Sequence, residues 1–398
     1  MLDTTTFEAF LRSLNIKEPV TTQVGAMVSG PPKPIAEAAI RAGLGFVFLD
    51  TAQTKNILAN LGLDPDLSAV VARRMKSLRM WRPVWEDMAS PHLKAMEAAW
   101  LRGDRGAAIA ALRTVLTMLN LAYSGDGYYI YTPLPERRRI LPVQRRLYAR
   151  LRELNNEHVE QLEVRHAGGV TSGLLHFPKL TTGRAPALLV IHTLAGDKDD
   201  YDVTVAPFRA AGYATFCIDM PAHGENFDGP RILPNDEQVC LAALEVLAAH
   251  PAIDAERLGV LGGSLGAFFA LRTAAASTRI KACVAYASPF DIGTGIMKAV
   301  YGIRTSFAWV VGAQTPEEIQ TKANAFALYD ALHKIQCPVL LVHGTQDHIC
   351  DFTACYEIAR RITSPLTVVP LIGTDHEAAQ PYAPHLAKPG IEWLKQNL

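Results

Sequence analysis

Two patterns of apolar and polar positions divide the chain near residue 156. Before it, apolar residues recur at helical spacing. In "GDRGAAIAALRTVLTMLNLAYSG", Asp104 stands as an N-cap and Ala108, Leu112, Val115 and Leu119 share one face. In "SPHLKAMEAAWLRG", Ser90 is the expected N-cap and Pro91 the first helical residue. "LPVQRRLYARLRELNN" aligns Val143, Leu147, Leu151 and Leu154 in one stripe, and Arg137 to Arg139 read as a solvated helix start. "MVSGPPKP" reads as a linker between short helices, and Phe46 to Leu49 fit no clear element.

After residue 156 the period changes. "VEQLEVRHAGGVTSGLLHFP" predicts a hairpin turning near Ala167 to Gly169. Short apolar runs follow: "ALLVI", "ATFCID", "RLGVL", "ACVAYA", "PVLLVH" and "LTVVPL", with helical patterns between most of them. Such short apolar runs read as central strands of a mostly parallel sheet, apolar on both faces because helices cover both. The expected organisation is therefore a helical region over 1–156 and an α/β domain over 157–398, with a helical insertion around 290–335.

Composition narrows the function. Lys plus Arg and Asp plus Glu number 39 each, so no charge excess invites nucleic acid or an anionic membrane surface. A small-molecule substrate is the expected partner. No stretch reads as a membrane span of about 18 apolar residues, and the N-terminus lacks a basic and then apolar leader pattern. The six cysteines lack C-x-x-C spacing and no His or Cys cluster completes a metal site, so they read as core thiols of a reducing, cytoplasmic compartment. No metal or cofactor is expected, and a homodimer is left open.

The candidate chemistry lies in "GVLGGSLGAFFAL". A serine hydroxyl is a weak nucleophile until a base takes its proton. Gly262-Gly263-Ser264-Leu265-Gly266 sits between an apolar run and a helical pattern, where a sharp turn would hold Ser264 clear of its backbone. His376 in "GTDHE", after the last apolar run, is the expected base. Asp347 in "HGTQD" is the expected acid that orients it, ahead of Asp375 and Asp351; His348 reads as loop surface. The chain order Ser, Asp, His suits this arrangement. Backbone N–H groups of Leu265 and Leu194, with Thr193 second to Leu194, are the expected oxyanion donors, and His192 reads as structural. Tyr128, Tyr129 and Tyr131 in "SGDGYYIYTPLP" are candidate substrate contacts.

"DMPAHGEN" resembles the D-x-P-G-H-G-x-S turn of α/β-hydrolases, with Ala222 in place of glycine and Asn226 in place of serine. "HGTQD" and "GTDHE" resemble the acid and histidine loops of that superfamily, and the resemblance covers residues 160–398. The helical region, with Trp81, Trp85 and "AAWLRGDRGAA", is similar to that of FrsA-like esterases. Within that group the chain resembles hydrolases that cleave a carbon–carbon bond beside a ketone, including those that shorten polyketide chains. The resemblance implies an α/β-hydrolase fold of about eight strands with an N-terminal helical cap. It also implies a serine triad acting on an aromatic or polyketide-like ketone, with Asp291 in "SPFDIG" as a further acidic residue. The residues alone leave bond type open: the same triad serves a carboxylesterase or thioesterase. A hydrolase-fold binding protein without catalysis is disfavoured by the intact Ser264, Asp347 and His376.

Overall fold

A computed structural model describes residues 9, 33–123, 134–179, 183–299, 301–376 and 384–398. These form two compact units, one within 33–157 and 301–305, the other within 158–299 and 306–398.

The first unit is helical: α1 (Lys33–Arg41), α2 (Phe46–Leu49), α3 (Ala52–Asn60), α4 (Leu67–Arg74), α5 (Trp81–Leu101), α6 (Arg105–Tyr123) and α7 (Leu134–Leu154). The segment that fitted no element in the sequence is the short α2. Asp104 accepts a hydrogen bond from the Ala107 N–H at 3.0 Å, satisfying one of the free donors of the first turn of α6. Ala108, Leu112, Val115 and Leu119 of α6 are buried as their spacing requires. This helix is long and apolar enough by composition to cross a membrane, against the expectation that no segment would be. Its buried face belongs to the core of the unit, where Val115, Met118 and Leu119 join Trp85 and Val84.

Ser90 and Pro91 do not begin a helix. They lie inside α5, which runs unbroken from Trp81 to Leu101. An interior proline removes one helical hydrogen bond and costs about 3 kcal/mol. Here Val84, Trp85 and Ala89 before it and Met96 and Ala99 after it are all buried, and that continuous apolar face outweighs the local cost. Pro142 likewise lies inside α7, with Ile140 before it and Tyr148, Leu151 and Leu154 after it buried.

The second unit carries one eight-stranded sheet: β1 (Val159–His166), β2 (Gly169–His176), β3 (Ala185–Ile191), β4 (Ala214–Ile218), β5 (Ile253–Gly263), β6 (Ile280–Tyr286), β7 (Val339–Gly344) and β8 (Leu366–Leu371). The order is β1-β2-β4-β3-β5-β6-β7-β8. The pairs β1–β2 and β2–β4 are antiparallel and the rest parallel. Residues 187–191 are fully buried, as expected of a strand covered on both faces. The connecting helices are α8 (Lys198–Thr204), α9 (Ala206–Ala210), α10 (Glu237–Ala249), α11 (Leu265–Ala276), α12 (Tyr301–Val311), α13 (Pro316–Ala323), α14 (Phe352–Ala359) and α15 (Pro384–Asn397).

The chain leaves β3 toward β4 on one side, and leaves β5 toward β6 on the other. The loops after β3 and β5 therefore diverge, and a crevice opens at the carboxyl ends of these two strands. Ser264 follows β5 directly, and His192 to Asp197 follow β3.

The Asp104 cap gives a local test. Asp104→Ala should lower the stability of the helical unit by about 1 kcal/mol, while Asp104→Asn should cost only a few tenths. Urea unfolding followed by tryptophan fluorescence reads both; equal losses for the two variants would contradict the cap.

Candidate active site

Ser264 stands between strand and helix with φ 53° and ψ −119°. A non-glycine residue there is strained by roughly 1–3 kcal/mol, and such strain persists only where the surroundings enforce it. Three contacts do so. The Ser264 N–H donates to Tyr286 O of the neighbouring strand at 2.8 Å. A Cβ on Gly262 would lie 2.2 Å from Gly266 O, and one on Gly266 would lie 2.1 Å from Ile191 O and 2.5 Å from His192 O. Only glycine allows α11 to start this close to the end of β3. The sequence expectation for these two glycines thus has its cause in backbone packed against backbone. The serine is itself recessed, at 8% exposure.

Asp347 and His376 come together. His376 Nδ1 and Asp347 Oδ2 lie 2.7 Å apart, with both residues buried. The loops bearing them are knit together. Gln346 N–H donates to Thr374 O at 3.0 Å and Thr345 N–H to Leu371 O at 3.0 Å. A Cβ on Gly344 would meet Thr374 O at 2.3 Å, so glycine is required for this approach. Asp347 Oδ1 accepts from the N–H groups of Ile349 (2.9 Å) and Cys350 (2.8 Å), which leaves Oδ2 for the histidine. Of the rival acids, Asp351 caps α14 by accepting from Thr353 N–H at 2.8 Å.

The electrostatics follow from burial and pairing. Burial alone pushes the Asp347 pKa up, but the His376 charge and the bonds from His343 and His376 outweigh it and hold the carboxyl below its ordinary range. Burial pushes His376 down, and the Asp347 carboxylate more than compensates, so His376 titrates well above the ordinary histidine value. His348 is no simple loop-surface residue: burial lowers its pKa, and the Asp347 charge partly opposes that.

His343 was not singled out in the sequence. It is the penultimate residue of β7, 2% exposed, with Nε2 at 2.6 Å from Cys350 O and 3.3 Å from Asp347 Oδ2. One polar residue closing the apolar run "PVLLVH" was the only available signal. Cys350 is likewise more than a core thiol, since its N–H and C=O help to hold this loop. All six cysteines are buried and free.

The loop after β3 is fixed through histidines. Met220 N–H donates to His192 Nε2 at 3.1 Å, so the ring proton sits on Nδ1 and is donated to Thr193 O at 2.8 Å. Burial lowers the pKa of His192 to about 4, which keeps the ring neutral. In a trans peptide C=O and N–H point oppositely. Pinning Thr193 O therefore turns the Leu194 N–H away from the His192 ring. Leu194 O in turn lies 2.9 Å from His223 Nε2. Among the described residues, neither the Leu194 nor the Leu265 N–H has a hydrogen-bond partner. Ala222, which replaces the usual glycine of this turn, adopts φ 60°.

Among the described residues, Asp291 makes no hydrogen bond or ion pair with Ser264, Asp347 or His376. Its Oδ2 accepts from Tyr329 O–H at 3.0 Å, and its backbone bridges to Ala327. Tyr128, Tyr129 and Tyr131 lie outside the described residues.

Residues 138–294 match the family model described as "Esterase FrsA-like", and residues 233–396 that of the "Prolyl oligopeptidase family". Over 168 residues the chain is 29% identical to 2,6-dihydropseudooxynicotine hydrolase of Paenarthrobacter nicotinovorans, covering 42% of this chain and 46% of the relative. Over 129 residues it is 32% identical to acetyl esterase Axe7A of Xylanibacter ruminicola, covering 32% and 28%. The chain thus spans less than half the length of these two curated relatives. The crystal structure of 2,6-dihydroxy-pseudo-oxynicotine hydrolase superposes with a TM-score of 0.72 at 23% identity, over 86% of this chain and 95% of that one.

The raised His376 pKa is open to measurement. Ring 15N chemical shifts followed against pH should place its titration above 6.5, and Asp347→Asn should move it down. A downward shift arises because the substitution removes the carboxylate that stabilises the imidazolium. A midpoint unaffected by Asp347→Asn would contradict the pairing.

Proposed function

The chain is an α/β-hydrolase by fold, and on that premise we propose that it is a serine hydrolase with Ser264 as nucleophile, His376 as base and Asp347 as orienting acid. The buried Asp347–His376 pair, on the loops after β7 and β8, carries the reading, together with the strained turn at Ser264. Asp347 on Nδ1 leaves Nε2 of His376 to accept the serine proton. The N–H groups of Leu265 and Leu194 are the donors for the oxyanion that develops on attack.

The substrate we propose is an aromatic or polyketide-like ketone, cleaved at the carbon–carbon bond beside the carbonyl. Ser264 Oγ adds to the ketone carbon and its proton passes to His376. The tetrahedral oxyanion then collapses: the carbon–carbon bond breaks, its electron pair goes to the leaving carbon, and that carbon takes the proton from His376. Water attacks the resulting acyl-Ser264 with His376 again as base, giving a carboxylic acid and free Ser264. The net change adds one water to one ketone. The similarity to a relative named as a 2,6-dihydropseudooxynicotine hydrolase supports this reading.

A second reading, a carboxylesterase or thioesterase using the same residues, is favoured by the description of that same family model and by the likeness to an acetyl esterase. The two differ in the leaving group, an alkoxide or thiolate in place of a carbanion. A carbanion leaving group needs stabilisation by conjugation and a proton delivered as the bond breaks.

A fluorophosphonate should label Ser264, located by peptide mass mapping; labelling elsewhere would overturn the assignment. His376→Ala should lower kcat by roughly 10³-fold or more. Asp347→Asn should lower kcat by up to a similar factor through loss of tautomer control, with Asp351→Asn close to neutral. A panel of β-diketones and aryl ketones beside matched esters, with products identified by mass, separates the two substrate readings. Turnover of esters alone would leave the esterase.

A further inference from the structure

Outside the triad, the most unusual charged group is Lys198. It opens α8, six residues beyond His192, and is only 1% exposed. Its Nζ lies 2.8 Å from Asp219 Oδ2, 3.4 Å from Glu225 Oε1 and 3.7 Å from Asp199 Oδ2. Its backbone N–H donates to the other oxygen of the same carboxylate, Asp219 Oδ1, at 2.8 Å. Asp219 is fully buried and also accepts from Glu225 N–H at 2.9 Å. One residue therefore grips one carboxylate with both main chain and side chain.

The location gives this grip a consequence. The loop from His192 to Lys198 meets the turn from Asp219 to Glu225 at three places. At its start, Met220 N–H donates to His192 Nε2; at its middle, Leu194 O faces His223 Nε2; at its end stands the Lys198–Asp219 pair. Only the last is charged on both sides. The turn has no slack against it: a Cβ on Gly224, at φ +49°, would lie 2.2 Å from Asp219 Oδ1. A buried carboxylate that loses its cation must move toward water or take up a proton. Either change releases the turn, and with it His223 and His192, the two rings that set the peptides on both sides of Leu194.

We propose that Lys198 is a positioning residue that, through its pairing with Asp219, holds the loop bearing the Leu194 N–H in the orientation needed to receive an oxyanion. The proposal rests on the serine-hydrolase reading and on Leu194 as a donor. Lys198 touches no substrate atom; it acts through Asp219 and the turn.

Burial works against the ammonium, and the charges of Asp219, Asp199 and Glu225 outweigh it, so Lys198 remains protonated well past neutrality.

The test uses the full chain with Lys198→Met, which keeps the length of the stem and removes the charge, and Lys198→Arg, which keeps the charge. Fluorophosphonate labelling gives two quantities: the endpoint, which counts competent sites, and the rate constant, which reports oxyanion stabilisation during phosphonylation. Expected for Lys198→Met is a fall of roughly 10- to 100-fold in both the labelling rate constant and kcat per labelled site, with KM changed less than about threefold. Lys198→Arg should recover part of the loss. If Lys198→Met yields no folded protein, Lys198→Gln, which keeps a neutral donor, is read by the same criteria. A lower endpoint with unchanged rate constant and unchanged kcat per site would mean a merely structural role and overturn the proposal. Wild-type protein that is not labelled at Ser264 would overturn the serine-hydrolase reading and this proposal with it. Normal wild-type labelling with unaltered variant constants would overturn this proposal alone.

Discussion

The contact on which the site depends is backbone against backbone, where Gly266 at the start of α11 meets Ile191 and His192 at the end of β3. Any side chain at 266 would push the helix off the sheet. With glycine, the turn at Ser264 and the loop after β3 are held side by side at the point where the strand order reverses. The strained φ of Ser264 goes with the same closeness, because the chain must turn sharply from β5 into α11 at this one residue. Strain at this serine is thus a product of sheet packing, and the rigidity of the sheet sustains it.

The polar groups around this contact are few, buried and almost fully engaged. Low dielectric makes each of them strong when paired and costly when not. Asp347 shows the principle: two backbone N–H groups occupy one oxygen, and histidines approach the other from two sides. The loop after β3 follows the same logic with neutral rings, since burial keeps His192 uncharged and its two hydrogen bonds then fix a single tautomer. Polar groups fixed in advance in this way need no reorganisation when charge develops beside them, which is what the proposed mechanism requires.

The two proposed substrate classes, ketone and ester, are separated on a different link of the chain of causes. Nucleophile, base and oxyanion donors are common to both reactions. What separates them is how the leaving group is stabilised and protonated. Asp291 was the acidic residue singled out by resemblance, and here its carboxylate is engaged by Tyr329.

Much of this protein was legible in its sequence. The six apolar runs and the hairpin became the eight strands, most plainly in the centre of the sheet, where strands such as β3 are covered on both faces and so are largely apolar. Ser264, Asp347 and His376 could be named as candidates because turn glycines, a strand-end acid and a late histidine are local signals, and Asp347 and His376 do meet in the fold. Asp104 was legible as a cap because capping is settled within one turn. The local reading failed at Pro91, where the proline marked a start that the core beneath α5 overrode. It also gave little or no account of His343, Lys198 and Asp219. Their roles depend on partners distant in the chain or on the loop closing over them: Lys198 meets Asp219 only because β3 and β4 lie side by side. Local spacing determines which element a residue joins and which chemistry it offers. Which buried charges and rings face one another is decided by strand order and the close approach of glycines, and that information exists only once the sheet has assembled.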